Sequence, residues 1–159
     1  MSRLEAGEAA PAFTLPDQDG NPVSLADFAR KAVVLYFYPA AMTPGCTREA
    51  VDFTSDYGKL EGAGYAVLGV SPDKPEKLAR FKAKESIPFP LLSDPEHKVL
   101  EAYGAYGEKV LYGRKLEGVI RSTLVLDVAE DGSAKVRLAK YNVKATGHVG
   151  RLLEELGIA

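Results

Sequence analysis

Several residue types are scarce in this sequence, and each shortage excludes a class of site. Cys46 is the only cysteine among 159 residues, so neither an internal disulfide nor a cysteine-rich zinc site can form. The two histidines, His97 and His148, are far apart in the sequence, and we expect both to be structural and no metal to be bound. No apolar run approaches the ~18 residues of a membrane span. The net charge of −2, with both signs interspersed, gives no footprint for nucleic acid or an anionic membrane.

The remaining composition is that of an ordinary globular protein. Apolar residues make up 46% and charged residues 26% of the chain. A chain of this length can bury a hydrophobic core, so we expect one domain spanning residues 1–159. The first eight residues carry no apolar segment of the kind that a secretory leader needs, and we therefore expect a cytoplasmic location.

Strands and helices alternate along most of the chain, and this order predicts the fold class. Residues 33–38, 65–70 and 119–127 are apolar runs without alternation, which is typical of strands buried on both faces of a sheet. Residues 12–15 and 22–25 flank a Gly/Asn/Asp turn and predict an N-terminal β-hairpin. Residues 134–139 alternate as a half-exposed strand does. We predict an α/β sandwich with helices on both sides of a mixed central sheet.

Helix signals fill the connections between these strands. A helix is predicted to begin near Cys46 and to stop at the glycines 62 and 64, and a closing helix to end at Gly157. Prolines next to capping residues predict helices that start near Ser71 and Ser93. Residues 104–118 hold four glycines and several charges, and we expect a long surface loop there. Arg121 is predicted to lie inside the 119–127 strand.

The only cysteine lies where a reactive thiol would be expected. Cys46 falls in the first turn of its helix, and a helix N-terminus favours an anion and so lowers the pKa of a thiol. We interpret Cys46 as a nucleophile that attacks peroxide oxygen, which gives a sulfenic acid. The alternative from the pattern alone is a small core cysteine, because Cys46 shares a helical face with Ala50 and Phe53.

Four neighbours supply what such a reaction needs beyond a thiolate. Thr43, three residues before Cys46, can accept from or donate to a peroxide with its hydroxyl, although it could equally be a plain helix cap. The N–H groups of Gly45 and Cys46 point out of the helix start. Arg121 is a permanent cation on an otherwise apolar strand, where the alternative is a side chain that extends to water. Pro39 can shield one side.

The spacing Pro39-x-x-x-Thr43-x-x-Cys46 resembles the peroxiredoxin signature. Residues 11–17, 34–39, 43–49, 87–94 and 118–123 are similar to the bacterioferritin comigratory protein group, the Q-type peroxiredoxins. The resemblance implies a thioredoxin-like, three-layer fold with extra N-terminal strands, and it implies no cofactor.

The same resemblance assigns roles to individual residues. It implies that Cys46 is the peroxidatic cysteine and that Thr43 is a hydrogen-bond partner of the peroxide. It also implies that Pro39 shields the site and that Arg121 stabilises the thiolate and the transition state. Glu49 matches a family glutamate, which we expect to pair with an arginine or to contact the edge of the site. We assign Gly45 and Glu49 to substrate binding.

The sequence departs from the family at the position of the second cysteine. Many members carry a resolving cysteine five residues after the first, where this chain has Val51, and others carry it on the following helix, where residues 73–84 contain none. The resemblance then implies recycling by an external thiol: thioredoxin, a glutaredoxin-like protein or a low-molecular-weight thiol. Met42 replaces a residue that is often polar, so the rim would suit organic hydroperoxides. We expect a monomer or a weak homodimer.

These observations predict a thiol-dependent peroxidase that acts in antioxidant defence. One alternative is a peroxide sensor that turns over slowly, which the valine at position 51 makes more plausible. Another is a structural protein with a thioredoxin fold and no redox chemistry. The helix that carries Cys46 is predicted to stay folded through turnover, because no disulfide to position 51 has to form.

Overall fold

The computed structural model describes residues 3–158 of the chain. Nine strands, four α-helices and one 3₁₀ helix (Leu25–Phe28) make up this part. The strands are β1 (Thr14–Pro16), β2 (Pro22–Ser24), β3 (Ala32–Phe37), β4 (Tyr65–Ser71), β5 (Leu91–Ser93), β6 (Tyr106–Leu111), β7 (Arg114–Val119), β8 (Ser122–Val128) and β9 (Ala134–Lys140). The α-helices are α1 (Pro44–Gly62), α2 (Pro75–Glu85), α3 (Lys98–Ala102) and α4 (His148–Leu156).

A five-stranded mixed sheet forms the centre, in the order β5-β4-β3-β8-β9. The β3, β4 and β5 strands run parallel to one another, whereas β8 is antiparallel to both β3 and β9. The helices α1 and α2 connect the parallel strands, as expected for crossover connections. The prediction of an α/β sandwich with a mixed sheet and an N-terminal hairpin, β1 with β2, is confirmed.

The central strand β3 shows that the sheet is covered on both faces. All six of its residues are buried, and alternate side chains enter different cores. Val33, Leu35 and Phe37 pack on the side of the N-terminal segment and α3. Val34 and Tyr36 pack on the side of α1, α2 and α4. Full burial of such a side chain contributes roughly 1.5–3 kcal/mol.

The segment expected to be a loop is a hairpin instead. Strands β6 and β7 pair antiparallel from Tyr106–Val119 to Leu111–Arg114, in a two-stranded sheet of their own. Both strands expose polar and apolar side chains alike, including Val110 and Leu116. Without a buried face the hairpin leaves no hydrophobic alternation in the sequence, and the glycines and charges resemble those of a loop.

Three other predictions are corrected at the ends of elements. Arg121 does not lie inside a strand but in the link between β7 and β8. Helix α2 begins at Pro75, with Lys74 as its N-cap, rather than near Ser71. Helix α3 begins at Lys98, later than Ser93 suggested.

In the described part of the chain, no helix combines the length and the apolar character required to cross a membrane.

Candidate active site

The site forms where β3 ends and α1 begins. The amide of Tyr38 still donates to the Val70 carbonyl at 3.0 Å, but Pro39 has no N–H and the chain leaves the sheet. Residues 39–43, called the site loop from here on, lead to Thr43, the N-cap of α1. Pro44 occupies the first helical position, where its missing N–H costs nothing. These signals place Cys46 in the first turn, as predicted.

Cys46 is buried and lies among helix amides that have no hydrogen-bond partner within the helix. Its residue is 2% exposed. The first backbone bond at this end of α1 runs from the Thr47 N–H to the Thr43 carbonyl at 2.9 Å. The N–H groups of Gly45 and Cys46 precede that bond and so have no partner within the helix. With 19 residues behind it, this helix terminus favours negative charge at Cys46.

Arg121 connects the sulfur to a buried carboxyl group. Its Nη2 lies 3.4 Å from Cys46 Sγ, and its Nη1 donates to Glu49 Oε1 at 2.6 Å. The backbone is held in place as well, because the Val143 N–H donates to the Arg121 carbonyl at 2.9 Å. Burial disfavours the charge on Arg121, but Glu49 and Cys46 more than offset this and raise the pKa of the guanidinium. A fixed cation therefore faces the sulfur.

Glu49 is fully buried one helical turn after Cys46. The expectation that it pairs with an arginine agrees with the contact to Arg121. Its second oxygen, Oε2, has no hydrogen-bond partner among residues 3–158. Burial raises the pKa of this carboxyl from 4.5 to about 7, although Arg121 acts in the opposite direction. The carboxyl group of Glu49 therefore holds its proton to a higher pH than an exposed glutamate does.

The hydroxyl of Thr43 has a defined polarity. Thr43 Oγ1 donates to the Ala40 carbonyl at 2.7 Å, and no hydrogen bond joins its side chain to the amides of α1. Thr43 is thus the N-cap by position but not by side-chain contact. Because its one hydrogen is used, the exposed hydroxyl can only accept a hydrogen bond from a further group.

Gly45 contributes space as well as an amide. A Cβ atom at this position would lie 3.3 Å from Arg121 Nη2. Any side chain here would therefore press on the guanidinium that contacts Cys46. The sequence pointed only to the N–H of Gly45, since the close approach depends on Arg121, which is remote in the chain.

The rim of the site is partly apolar. Met42, which lies in the site loop, is 37% exposed. Met42 has φ of +65°, in the left-handed region that side chains other than glycine rarely adopt. Pro39 is half-buried at the start of the site loop. Its shielding role stays a prediction.

Sequence reasoning missed one residue that contacts the site loop. Asp73 Oδ2 accepts a hydrogen bond from the Ala41 N–H at 2.7 Å. A signal for this contact existed, since Asp73 follows β4 just as Ala41 follows β3, and the carboxyl ends of neighbouring parallel strands meet at one edge. The capping pattern of Ser71 to Asp73 instead predicts a helix start, which is wrong because α2 begins at Pro75.

The two histidines make structural contacts. His148 is 4% exposed and its Nε2 lies 2.8 Å from the Thr123 hydroxyl. Burial, aided by Arg151, lowers the pKa of His148 to about 4, so the imidazole is neutral at physiological pH. His97 stacks on Tyr106 with 4.2 Å between ring centroids. Within residues 3–158, no group of three His, Cys, Asp or Glu side chains is arranged to hold a metal ion.

Comparison with known proteins gives consistent matches. Residues 6–131 match the model of the AhpC/TSA family. A putative peroxiredoxin of Mycobacterium tuberculosis is 58% identical over 157 residues, which cover 99% of this chain and 98% of that protein. The peroxiredoxin Bcp of Escherichia coli is 50% identical over 127 residues, 80% of this chain and 81% of that protein.

A solved structure shows the same fold. It is that of the Xanthomonas campestris bacterioferritin comigratory protein, in a study of its alkyl peroxide reduction activity. The two chains superpose with a TM-score of 0.81 at 34% sequence identity, over 91% of this chain and 90% of the other. The architecture described above is therefore the thioredoxin-like fold of the peroxiredoxins.

Proposed function

Because this chain belongs to the AhpC/TSA family, and within it to the Bcp or Q-type peroxiredoxins, which are thiol-dependent peroxidases, we propose that Cys46 reduces hydrogen peroxide and organic hydroperoxides. The observation that carries this proposal is the Arg121 guanidinium, which contacts both the Cys46 sulfur and the buried Glu49 carboxyl. A core cysteine that only fills space needs no such cation.

The first step oxidises the sulfur and reduces the peroxide. The Cys46 thiolate attacks one peroxide oxygen, so an S–O bond forms while the O–O bond breaks. The sulfur becomes a sulfenic acid, and the second oxygen leaves as hydroxide or alkoxide and takes up a proton to give water or an alcohol. Stabilising charge on that leaving oxygen is the main task of the site.

The chain supplies groups for each part of this step. Arg121 stabilises the thiolate beforehand and the negative charge that moves to the leaving oxygen. The N–H groups of Gly45 and Cys46 are donors to the same charge. Thr43 Oγ1 accepts a hydrogen bond from the O–H group of the incoming hydroperoxide, and Pro39 shields the site from water.

An external thiol completes the cycle. With no other cysteine in the chain, a thiol from outside attacks the sulfenic acid, which releases water and leaves a mixed disulfide. A second thiol equivalent then frees Cys46. Thioredoxin, a glutaredoxin-like protein and a low-molecular-weight thiol are the candidate reductants, and we propose a monomer or a weak homodimer as the working form.

Organic hydroperoxides are favoured substrates in this proposal. The exposed side chain of Met42 makes the rim of the site apolar at the site loop. An alkyl group loses contact with water when it packs on such a surface. The alkyl peroxide reduction activity of the Xanthomonas campestris relative supports the same substrate class.

Stopped-flow oxidation followed by steady-state turnover tests the proposal. The reduced protein is mixed with hydrogen peroxide or an alkyl hydroperoxide, and turnover is then measured with each candidate reductant. We expect rapid oxidation and many turnovers with at least one reductant, and no reaction in Cys46→Ser. Peroxide consumption by Cys46→Ser at the wild-type rate would contradict the proposal.

A peroxide sensor is the second candidate, and Val51 is the observation that favours it. Rapid oxidation with no recycling by any reductant would support this function instead. For either function we propose a cytoplasmic location, because Cys46 must be kept reduced and cytosolic thiol systems do so. Cell fractionation with an antibody checks this.

A further inference from the structure

One peptide unit in the site loop is held at both of its polar ends. The Ala40 carbonyl accepts a hydrogen bond from Thr43 Oγ1 at 2.7 Å. The N–H of the same peptide, that of Ala41, donates to Asp73 Oδ2, also at 2.7 Å. Because a peptide unit is planar, fixing the direction of its N–H also fixes the direction of its C=O. The carboxyl group of Asp73 therefore determines where Thr43 finds its hydrogen-bond acceptor.

We propose that Asp73 is a positioning residue for peroxide binding, which orients the Thr43 hydroxyl through the Ala40–Ala41 peptide. The inference rests on the role proposed above for Thr43. With its hydrogen directed at the Ala40 carbonyl, the hydroxyl presents its lone pairs to an incoming hydroperoxide. Asp73 itself lies outside the reacting atoms and acts through this peptide alone.

Asp73 is itself firmly held. Its side chain is 10% exposed, and its Oδ2 also accepts from Ser71 Oγ at 2.9 Å. Its carbonyl accepts from Ser93 Oγ at 2.6 Å, and its Oδ1 lies 3.1 Å from Lys77 Nζ. Ser71 and Ser93 are buried at the ends of β4 and β5. The carboxyl group of Asp73 thus holds the site loop in a fixed position relative to the sheet.

The site loop needs such support because its backbone is not intrinsically favoured. Met42, between the clamped peptide and Thr43, is held at φ of +65°. A residue in a sparsely populated backbone region destabilises the fold and persists only where surrounding contacts impose it. The hydrogen bond from Ala41 to Asp73 is one such contact, and without it the loop is free to relax.

Two rates measured on the same variants test the proposal. The first is the second-order rate of Cys46 oxidation by hydrogen peroxide, and the second is its alkylation by iodoacetamide, which needs no oriented hydroxyl. We expect Asp73→Ala to slow oxidation about ten- to hundredfold and alkylation by less than about twofold, as for a small misplacement of a substrate-positioning group. Asp73→Asn keeps an acceptor oxygen and should recover most of the rate. Glu76→Ala, which removes an exposed carboxyl group from the first turn of α2, is the matched control and should match wild type.

A double-mutant cycle with Thr43→Val shows whether Asp73 acts through Thr43. In the Thr43→Val background, Asp73→Ala should slow oxidation little further, because the group it positions is already gone. A full additional loss in that background, or a parallel loss of oxidation and alkylation, would overturn the inference. If Asp73→Ala does not fold, Asp73→Ser takes its place, since the shorter side chain cannot reach Ala41. Should Cys46→Ser still consume peroxide, the proposed function fails rather than this inference.

Discussion

Glu49 and His148 are two buried groups whose protonation should have opposite effects on stability in one pH range. The pKa of Glu49 is raised from 4.5 to about 7 by burial, so the folded protein keeps a proton that the unfolded chain releases. Its stabilising contribution is complete below pH 4.5 and is lost as the pH rises through about 7. The pKa of His148 is lowered from 6.5 to about 4 by burial. In the folded protein His148 stays neutral where the unfolded chain would bind a proton, and this difference lowers the stability at acidic pH. The loss of stability disappears as the pH rises to 6.5.

The two effects should nearly cancel. Each shift corresponds to roughly 3 kcal/mol at 1.36 kcal/mol per pKa unit, and each acts with a slope of about 1.4 kcal/mol per pH unit. Between pH 4.5 and 6.5 the slopes have opposite signs. The pair therefore contributes almost no net pH dependence there, although each group alone has a large effect.

Glu49→Gln should reveal the pH dependence of stability that His148 contributes and that Glu49 cancels in the wild type. The amide keeps an oxygen for Arg121 but does not titrate, so the variant should gain about 3 kcal/mol relative to wild type as the pH rises from 4.5 to about 7. Urea unfolding of the reduced proteins, followed by far-ultraviolet circular dichroism at several pH values, measures this difference. Only the change of the difference with pH matters, because exchanging the carboxyl group for an amide also adds an offset that does not vary with pH. Parallel curves would refute a raised pKa at Glu49, and His148→Gln should give the opposite trend.

Three further variants probe other features of the site. Arg121→Met should slow oxidation of Cys46 by peroxide about 10²- to 10³-fold in stopped-flow experiments, as removal of a transition-state donor does; a rate near wild type would refute the role of Arg121. The hydroxyl of Tyr36 is buried without a partner among residues 3–158, so Tyr36→Phe should leave stability unchanged or raise it by about 1 kcal/mol, and a loss of that size in urea unfolding would contradict this. Peroxide treatment should leave the backbone amides of α1 protected from hydrogen exchange in wild type but not in Val51→Cys, where a disulfide to Cys46 requires the helix to unwind.

The sequence was most informative where a buried apolar run is followed by a residue that ends a strand or begins a helix. The run 33–38 is apolar at every position because both faces of β3 are covered, and this requirement is visible without a structure. The position of Cys46 followed from Pro39, which cannot continue the strand, and from the helical face that Cys46 shares with Ala50 and Phe53. Local stereochemistry decides both, so both could be predicted.

Contacts between distant segments could not be predicted in the same way. Residues 119–127 have the composition of one strand, but the chain passes from the β6–β7 hairpin to the central sheet at Ile120 and Arg121. That break is what turns Arg121 toward Cys46. Asp73 likewise has no local pattern that distinguishes a helix cap from a clamp on a neighbouring loop. In both cases the partner is set by the sheet order, which local pattern does not specify.

Gly45 lowers the stability of α1 but leaves room for the Arg121 guanidinium that contacts Cys46. A glycine inside a helix costs roughly 0.5–1 kcal/mol relative to alanine, and here it occupies the first turn of the longest helix. Alanine would favour α1, but its methyl group would lie 3.3 Å from Arg121 Nη2 and so press on the guanidinium group. A stabilised version of this protein, chosen by thermal selection alone, would therefore tend to fill this position and lose peroxidase activity as it gained heat resistance.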